Sequence, residues 1–166
     1  MKTFSENSPE SPHFAEVSLR YSPSADISSK PKLKYPEDVF RYLLNLWDLD
    51  SFEISETFYV LLLNNKKRLL GWSKISLGSK TATIVDVSQV VTLALLGNAS
   101  TVVIAHNHPS GETHPSSADI RLTGRICQAL ELHDLKLDDH LIITREEFYS
   151  FAQNGLIHPE QKNHER

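Results

Sequence analysis

The sequence predicts an α/β fold of the α+β type, in which helices flank a mixed, mainly antiparallel sheet. Apolar, β-branched runs of strand length recur along the chain and are separated by short turns, which is typical of antiparallel strands. Further segments repeat apolar residues at helical spacing. The 166 residues are 40% apolar, which is enough for one domain with a substantial core.

Composition argues against several classes of protein. The net charge of −4 gives no basic footprint, so a DNA partner is not supported by charge. No apolar run approaches the roughly 18 to 20 residues of a membrane-spanning helix, and the N-terminus lacks an apolar signal core. The single cysteine, Cys127, cannot form an internal disulfide. We therefore expect a soluble cytoplasmic protein with no membrane partner.

The two ends of the chain are predicted to lie outside the domain. Residues 1–35 form a polar N-terminal tail, since Ser, Glu, Pro and Lys dominate them. Within this tail, residues 14–21 alternate polar and apolar side chains and are predicted to form one short edge strand. Residues 158–166 are polar and are predicted to be a disordered tail. The domain is therefore expected to span residues 36–157.

The helices are predicted from their caps and apolar stripes. The first opens at Pro36, with acidic residues in its first turn, and ends around residues 48–51. The second is capped by Asp86 or by the serine two residues later, with Gly97 as its C′ residue. The third runs from about 117 to 133. Its inward-facing residues are predicted to be Ile120, Thr123, Ile126, Cys127 and Leu130.

The strands are predicted from β-branched and aromatic runs bounded by turns. They are expected at residues 56–65, 68–77, 81–85, 101–105 and 135–144. The first three are joined by short turns and form an antiparallel meander, with Gly71 as a bulge. The finish, residues 146–157, is expected to be short and irregular or helical.

Two histidines and an aspartate follow the buried run TVVIA. Because residues i and i+2 of a strand share a side, His106 and His108 should point in one direction, with Asn107 turned away. A loop broken by Pro and Gly then leads to Ser116, an N-cap candidate three residues before Asp119. Two imidazoles and one carboxylate suit Zn²⁺ with water as the fourth ligand. We predict one Zn²⁺ per chain at this motif.

A water activated by zinc needs a base to take its proton. Glu56, a carboxylate that starts an otherwise apolar strand, is the leading candidate. Plainer interpretations stay open: Ser116 and Asp119 also match a helix capping box, and Glu56 alone could be a surface strand-end residue. The combination of HxHPSG, a preceding apolar strand and a following S-x-x-D favours the metal site.

These residues carry a resemblance to a known family. HNHPSG at 106–111, with Asp119 and with Ser116 three residues before it, resembles the JAMM motif of MPN+ metalloproteases. With the PSSAD that follows, it is similar to the RadC branch of bacterial JAB-domain proteins. Further matches are ETFYVLLLN at 56–64, GNASTVVIAHNHPSG at 97–111 and DDHLIIT at 138–144. The resemblance covers about residues 36–157.

The resemblance implies a zinc-dependent hydrolase of a JAB/MPN fold, similar to cytidine deaminase, acting on a peptide or isopeptide bond. It implies Zn²⁺ ligation by His106, His108 and Asp119. It further implies that Glu56 is the general acid/base and that Ser116 donates a hydrogen bond to the oxyanion. Full-length RadC-like proteins carry an N-terminal region resembling a helix-hairpin-helix DNA-binding module. This chain has a short polar segment there, so it resembles the short, stand-alone forms.

Several alternatives stay open at this point. The JAB domain could instead be a binding scaffold in a DNA repair or recombination-associated protein, or a pseudoenzyme used for protein contacts. His114 is either an exposed loop residue or a contact of the metal water or substrate. His140 is either a satisfied strand-end group or a residue that orients a metal ligand. The peptide or protein substrate is not specified, and a homo-oligomer is also open.

Overall fold

The computed structural model describes residues 26–48, 50, 52–77 and 85–157, and a five-stranded sheet forms the centre of this part of the chain. Its strands are β1 (Thr57–Leu63), β2 (Leu69–Leu77), β3 (Thr101–Asn107), β4 (Lys136–Ile143) and β5 (Phe148–Ser150). They lie in the order β2-β1-β3-β4-β5. Strands β3 and β4 are parallel and the other neighbours are antiparallel. The prediction of a mixed, mainly antiparallel sheet is confirmed.

Helices cover both faces of this sheet. They are α1 (Pro36–Leu46), α2 (Val87–Leu96) and α3 (Ser117–Glu131), and a 3₁₀ turn at Ile27–Ser29 precedes them. Pro36 occupies the first turn of α1, as predicted, and Asp86 caps α2 by accepting from the Ser88 amide. None of the described helices is long and apolar enough to span a membrane.

The core is divided between the two faces because side chains alternate along β1 and β3. Val102 and Ile104 pack with residues of α2 and α3, whereas Val103 and Ala105 pack with α1. Every residue of β1 and β3 is buried, so these two strands are covered on both sides. This explains why their sequences are continuous apolar runs rather than alternating ones.

The C-terminus of α2 differs from the prediction. Gly97 is the C-cap, with a right-handed φ of −78°, and the left-handed residue is Asn98, with φ 48°. The predicted C′ role of Gly97 is therefore wrong. A Cβ on Gly97 would lie 2.4 Å from the Cδ1 atom of Leu62, so the glycine is needed for the close approach of α2 to β1.

The inward face of α3 begins later than predicted. Ile120 is 45% exposed, so its predicted burial is wrong, whereas Thr123, Ile126 and Leu130 are buried. The reason is that the first turn of α3 carries Asp119, which faces the two histidines of the candidate site instead of the apolar core. Burial therefore starts one turn further along the helix.

The final segment also differs, since Phe148–Ser150 forms β5 rather than an irregular or helical finish. Residue 70, beside the predicted bulge at Gly71, is the unpaired residue between the Leu62–Gly71 and Leu63–Leu69 pairs. The predicted strand at 14–21, most of the one at 81–85 and both tails lie outside the described residues.

Cys127 should be a poorly reactive thiol. Burial, with a smaller contribution from Glu131, raises its pKa to about 11. A free cysteine has a pKa of about 8.5, so at mildly alkaline pH the thiolate fraction of Cys127 is smaller by roughly a hundredfold. Since it is the single cysteine of the chain, labelling by a chromogenic disulfide measures it directly. We expect slow labelling of the native protein that accelerates with pH, and rapid labelling in urea. Native labelling at the rate of the urea-unfolded chain would contradict this.

Candidate metal centre

Two strands and a helix start meet at the predicted metal motif. His106 lies in β3 and is 1% exposed, and His108 follows one residue after the strand ends. Because β3 leads into α3 and then returns as the parallel strand β4, the N-terminus of α3 lies near the carboxyl end of β3. That end of a parallel strand pair is where binding sites commonly form.

The side chains of the three predicted ligands converge. The His106 Nε2 atom lies 3.0 Å from the His108 Nε2 atom. An Asp119 carboxylate oxygen lies 3.3 Å from the His106 Nε2 atom, and the other lies 3.5 Å from the His108 Nε2 atom. Each of the three offers a ligand atom within 4.8 Å of the others. The structure therefore brings His106, His108 and Asp119 together.

These separations fit a tetrahedral metal ion. Zinc bonds of about 2.0 to 2.1 Å place neighbouring ligand atoms roughly 3.4 Å apart. The 3.0 Å between the two Nε2 atoms and the 3.3 Å from the His106 Nε2 atom to the Asp119 Oδ1 atom lie close to that edge length. The 3.5 Å to the His108 Nε2 atom is measured from the other carboxylate oxygen, Oδ2. If these three residues bound a tetrahedral ion, a fourth position would be left for water or substrate. The donor set of two imidazoles and one carboxylate also suits Zn²⁺ chemically.

Asp119 belongs to the helix cap and also faces the two histidines. Its Oδ2 atom accepts from the Ser116 amide at 2.7 Å and from the Ser116 hydroxyl at 2.6 Å, and the Asp119 amide donates back to the Ser116 hydroxyl. This is a capping box, and it holds the carboxylate while the Oδ1 atom faces His106. The capping interpretation and the ligand interpretation are compatible.

The electrostatics of the three groups are strongly coupled. The hydrogen bond to Asp119 is the largest of the interactions that raise the pKa of His108, with smaller contributions from the Glu112 carbonyl and the Glu56 charge. Partial burial would raise the pKa of Asp119, but the two histidines outweigh it and hold that pKa well below its usual range. The carboxylate is therefore ionised and available as an anionic ligand.

Behind His106 lies a buried polar cluster. The His106 Nδ1 atom is 2.9 Å from the Nε2 atom of His140, and the His140 Nδ1 atom is 2.6 Å from the Thr123 hydroxyl. His140 is fully buried, as is its stacking partner Phe151. His140 thus contacts a predicted ligand. The sequence had left open that His140 orients a ligand, but it placed Thr123 only on the inward stripe of α3 and gave no sign that Thr123 contacts His140.

Glu56 directly precedes β1 and is partly buried. Phe58 pairs with His106 across β1 and β3, and their rings stack at 6.1 Å. Extending this antiparallel register by two residues places Glu56 across from His108. The Glu56 charge is also close enough to contribute to raising the pKa of His108, after the larger effect of Asp119.

Asn107 holds the segment that carries Glu56. Its side chain points to the opposite face from His106, as predicted. There it donates to the carbonyls of Phe52 at 2.6 Å and Ser55 at 3.0 Å. It also accepts from the Thr57 amide at 2.8 Å. The middle residue of the HNH motif therefore fastens the start of β1 to the end of β3, a role that sequence reasoning missed.

Replacing Asn107 by leucine should lower the free energy of unfolding by about 3 kcal/mol, because two carbonyls and one amide lose their buried partner. Chemical denaturation monitored by circular dichroism measures this difference. The matched control is Asn45→Leu, on the exposed surface of α1, where the amide bonds a helix carbonyl and the change should stay within about 0.5 kcal/mol. Equal stability of the two variants would contradict the role of Asn107.

His114 and two clefts also lie on the surface of the domain. His114 is exposed and its ring meets the edge of Tyr149, so it is not part of the ligand group. A cleft of about 250 Å³ opens beside His108 and Gly111. Its other lining residues are Phe52, Glu53, Thr144, Arg145, Glu146 and Glu147. A larger cleft of about 640 Å³, lined by residues such as Asn64 and Asn98, contains none of the predicted site residues.

Comparison with known proteins agrees with this geometry. The family model of the RadC-like JAB domain matches residues 33–156. UPF0758 protein YfjY of Escherichia coli (strain K12) is 45% identical over 102 residues, which are 61% of this chain and 64% of that protein. UPF0758 protein YkfG of the same strain is 46% identical over 102 residues, which are 61% of this chain and 65% of that protein.

The similarity extends further along the chain in another relative. A UPF0758 protein of Haemophilus influenzae is 38% identical over 142 residues, which are 86% of this chain and 62% of that protein. The chain thus spans a little under two thirds of the length of these curated relatives. The match confirms the resemblance and the JAB-domain fold that the motif indicated.

Proposed function

The chain belongs to the RadC-like JAB domain family, and on that basis we propose that it is a zinc-dependent hydrolase of peptide or isopeptide bonds. The observation that carries the proposal is the convergence of His106, His108 and Asp119, whose side-chain nitrogen and oxygen atoms approach one another to between 3.0 and 3.5 Å. Zn²⁺ bound there would acidify a water towards neutral pH and polarise the scissile carbonyl.

Glu56 is the proposed proton carrier. It lies across from His108 by extension of the β1–β3 register, so its carboxylate can take a proton from the attacking water and deliver it to the leaving nitrogen. Asn107 fixes the start of β1 and thereby fixes the position of Glu56 relative to the ligands. Because this buried anchor restricts the backbone that carries Glu56, less conformational entropy is lost when the carboxylate takes its reactive position.

Ser116 is the proposed donor to the oxyanion, but its hydroxyl is bonded to Asp119 in this structure. Its hydroxyl proton is directed to the Asp119 Oδ2 atom at 2.6 Å. To stabilise an oxyanion, the hydroxyl must turn from the carboxylate to the substrate as charge develops there. Ser116 is exposed, so its side chain is free of packing that would hinder this rotation.

The cleft beside His108 is the proposed place for the substrate. Its volume of about 250 Å³ is below the range of about 300 to 1,000 Å³ that is typical of small-molecule pockets. A cleft of this volume would hold only a short segment of a larger substrate, which is compatible with a peptide. Glu53, Glu146 and Glu147 line it together with Arg145, so the wall is predominantly acidic.

Metal removal and restoration tests the proposal. The full chain is stripped with a chelator and incubated in ¹⁸O-labelled water with two pools, one of linear peptides and one of lysine-linked isopeptides. Mass spectrometry then detects new carboxyl groups that carry ¹⁸O. We expect cleavage with restored Zn²⁺ and none in the stripped protein. Zinc-loaded protein that leaves both pools unchanged would contradict hydrolysis and favour a scaffold or pseudoenzyme.

A further inference from the structure

We propose that Thr123 and His140 are positioning residues of the metal site, forming a relay of hydrogen bonds that selects the metal-binding tautomer of His106. The relay starts at the backbone carbonyl of Asp119 and ends at the His106 ring. The inference rests on the proposed metal site. It explains how hydrogen bonds could set the protonation of His106 before a metal binds.

The first link fixes the direction of the Thr123 hydroxyl. Its oxygen lies 2.6 Å from the carbonyl oxygen of Asp119. Two oxygens this close require a proton between them, and a carbonyl has none to give, so the Thr123 hydroxyl donates. Its single proton is then used, and towards any other partner it can only accept.

The second link follows from the first. The His140 Nδ1 atom lies 2.6 Å from the same Thr123 oxygen. Because that hydroxyl can only accept, the His140 Nδ1 atom carries the proton and donates it. A neutral imidazole with a proton on its Nδ1 atom has a lone pair on its Nε2 atom. His140 is fully buried, and burial disfavours the charged form of an imidazole, so the ring is neutral.

The third link reaches the proposed ligand. The lone pair of the His140 Nε2 atom lies 2.9 Å from the His106 Nδ1 atom, so the His106 Nδ1 atom must donate. The lone pair of neutral His106 therefore resides on its Nε2 atom, which faces His108 and Asp119. This is the tautomer that can bind a metal at that point. A proton on the Nε2 atom would have to leave before a metal could bind there, which weakens binding.

His108 is prepared in the same way by a simpler partner. Its Nδ1 atom lies 2.8 Å from the backbone carbonyl of Glu112, an acceptor, so that nitrogen donates. In the neutral ring the lone pair is again on the Nε2 atom. The two Nε2 atoms are 3.0 Å apart, and two lone pairs at that distance repel unless a proton or a cation lies between them. Both histidines are thus arranged to receive a cation.

The relay also links two ligand residues to each other. It begins at the carbonyl of Asp119, within the first turns of α3, and ends at His106 on β3. The Asp119 carboxylate is meanwhile held by Ser116. Partners that fix the outer nitrogen of a metal-binding histidine commonly change metal affinity by about 10- to 100-fold. We expect an effect in this range for Thr123.

The test reads the tautomer directly, in the metal-free full chain. Long-range ¹H–¹⁵N NMR spectra separate protonated from unprotonated imidazole nitrogens, and a His106→Gln variant assigns the His106 signals among the eight histidines. Spectra are recorded at mildly alkaline pH, above the ordinary imidazole pKa of about 6.5. We expect His106 and His140 to carry their protons on Nδ1. A His106 proton on Nε2 would overturn the proposal.

Thr123→Val, a nearly isosteric change, removes the first link, and Thr123→Ser is its matched control. In the valine variant the His140 Nδ1 proton has no acceptor, so we expect His106 to shift partly to the Nε2–H tautomer and zinc affinity to fall by about 10- to 100-fold. Serine should restore both. A valine variant with wild-type tautomer and wild-type zinc affinity would overturn the proposal even if the wild-type spectra agree.

These readouts separate the relay from the proposed function. If the wild type binds zinc and hydrolyses peptides while His106 is protonated on Nε2 in the metal-free state, the relay is wrong and the proposed function stands. If His106 has the expected tautomer but zinc-loaded protein cleaves nothing, the relay stands and the hydrolase proposal fails.

Discussion

Replacing Glu56 by glutamine should reduce zinc-dependent hydrolysis by about 10²- to 10⁴-fold, the usual contribution of a positioned general acid/base. Glutamine keeps the shape of the side chain but cannot accept and return a proton at neutral pH. Glu56 is not one of the three converging ligands. The zinc affinity should therefore stay within about twofold of wild type. A change of about tenfold or more would be expected only for a residue that binds the metal or holds a metal ligand.

The location of Glu56 is what makes the expected effect large. Glu56 directly precedes β1, whose first residue is bonded to Asn107 and whose second is paired with His106, so the proposed base is tied to the strand that carries the first proposed ligand. Rigid placement matters because proton transfer requires a heavy-atom approach of about 2.6 to 3.2 Å. An exposed glutamate would not have this fixed relation to the site.

The rate is measured with whichever peptide the ¹⁸O experiment identifies, and zinc affinity by competition with a chelator. Glu37→Gln, in the exposed first turn of α1, is the matched control and should keep the wild-type rate. Two results would contradict the role of Glu56: a Glu56→Gln variant as active as Glu37→Gln, or one that has lost its zinc.

Asp119→Asn should weaken zinc binding by roughly a hundredfold or more. Structural zinc sites with four protein ligands bind with about 10 to 16 kcal/mol in total, or about 3 to 4 kcal/mol for each ligand. A loss of that size corresponds to about two to three orders of magnitude in dissociation constant. Asparagine has the shape of aspartate but no negative charge. In the wild type the two histidines keep the Asp119 carboxylate ionised by lowering its pKa.

A control for the loss of a capping carboxylate exists at helix α2. Asp86 is the N-cap of α2 and accepts from the Ser88 amide, but it is exposed and is not part of the ligand group. Asp86→Asn therefore reproduces the effect of the substitution on a cap while leaving zinc affinity unchanged. If Asp119→Asn binds zinc as tightly as Asp86→Asn, the carboxylate is a capping group alone and the assigned ligand set is wrong.

Local patterns in the sequence predicted the elements that position the site. Strands β1 and β3 are buried on both faces and therefore have continuous apolar sequences at 57–63 and 101–105. Runs of this length are recognised from the sequence alone. The Pro36 start of α1 and the Asp86 cap of α2 are local chemistry and were confirmed. The three predicted ligands lie within 14 residues of the sequence, so their spacing alone indicated that they could meet.

Features that depend on tertiary contacts were missed or predicted wrongly. Strand β5 is three residues long, which is too short to show the alternation of apolar and polar residues that predicts a strand. It forms because it pairs with β4. The C-terminus of α2 was misassigned because Gly97 is required by the approach of Leu62, 35 residues earlier in the chain. Such a contact leaves no local signature.

The same limit applies inside the site. The contact between His140 and His106 joins two parallel strands, and Thr123 meets His140 from a helix between them. The sequence left two roles open for His140, a satisfied strand-end group or a residue that orients a ligand. It predicted only that Thr123 faces the core. Asn107 was predicted to point away from the ligands, which is confirmed, but its bonds to Phe52 and Ser55 span more than 50 residues and could not be read from its neighbours.

The measurement that tests this account most directly is anomalous diffraction at the zinc edge from crystals of the zinc-loaded chain. We predict one peak per chain, within about 2.0 to 2.2 Å of the His106 Nε2 atom, the His108 Nε2 atom and an Asp119 carboxylate oxygen. A zinc ion held by other groups, or zinc-soaked crystals without a peak between these three side chains, would contradict the metal centre and the hydrolase proposed from it.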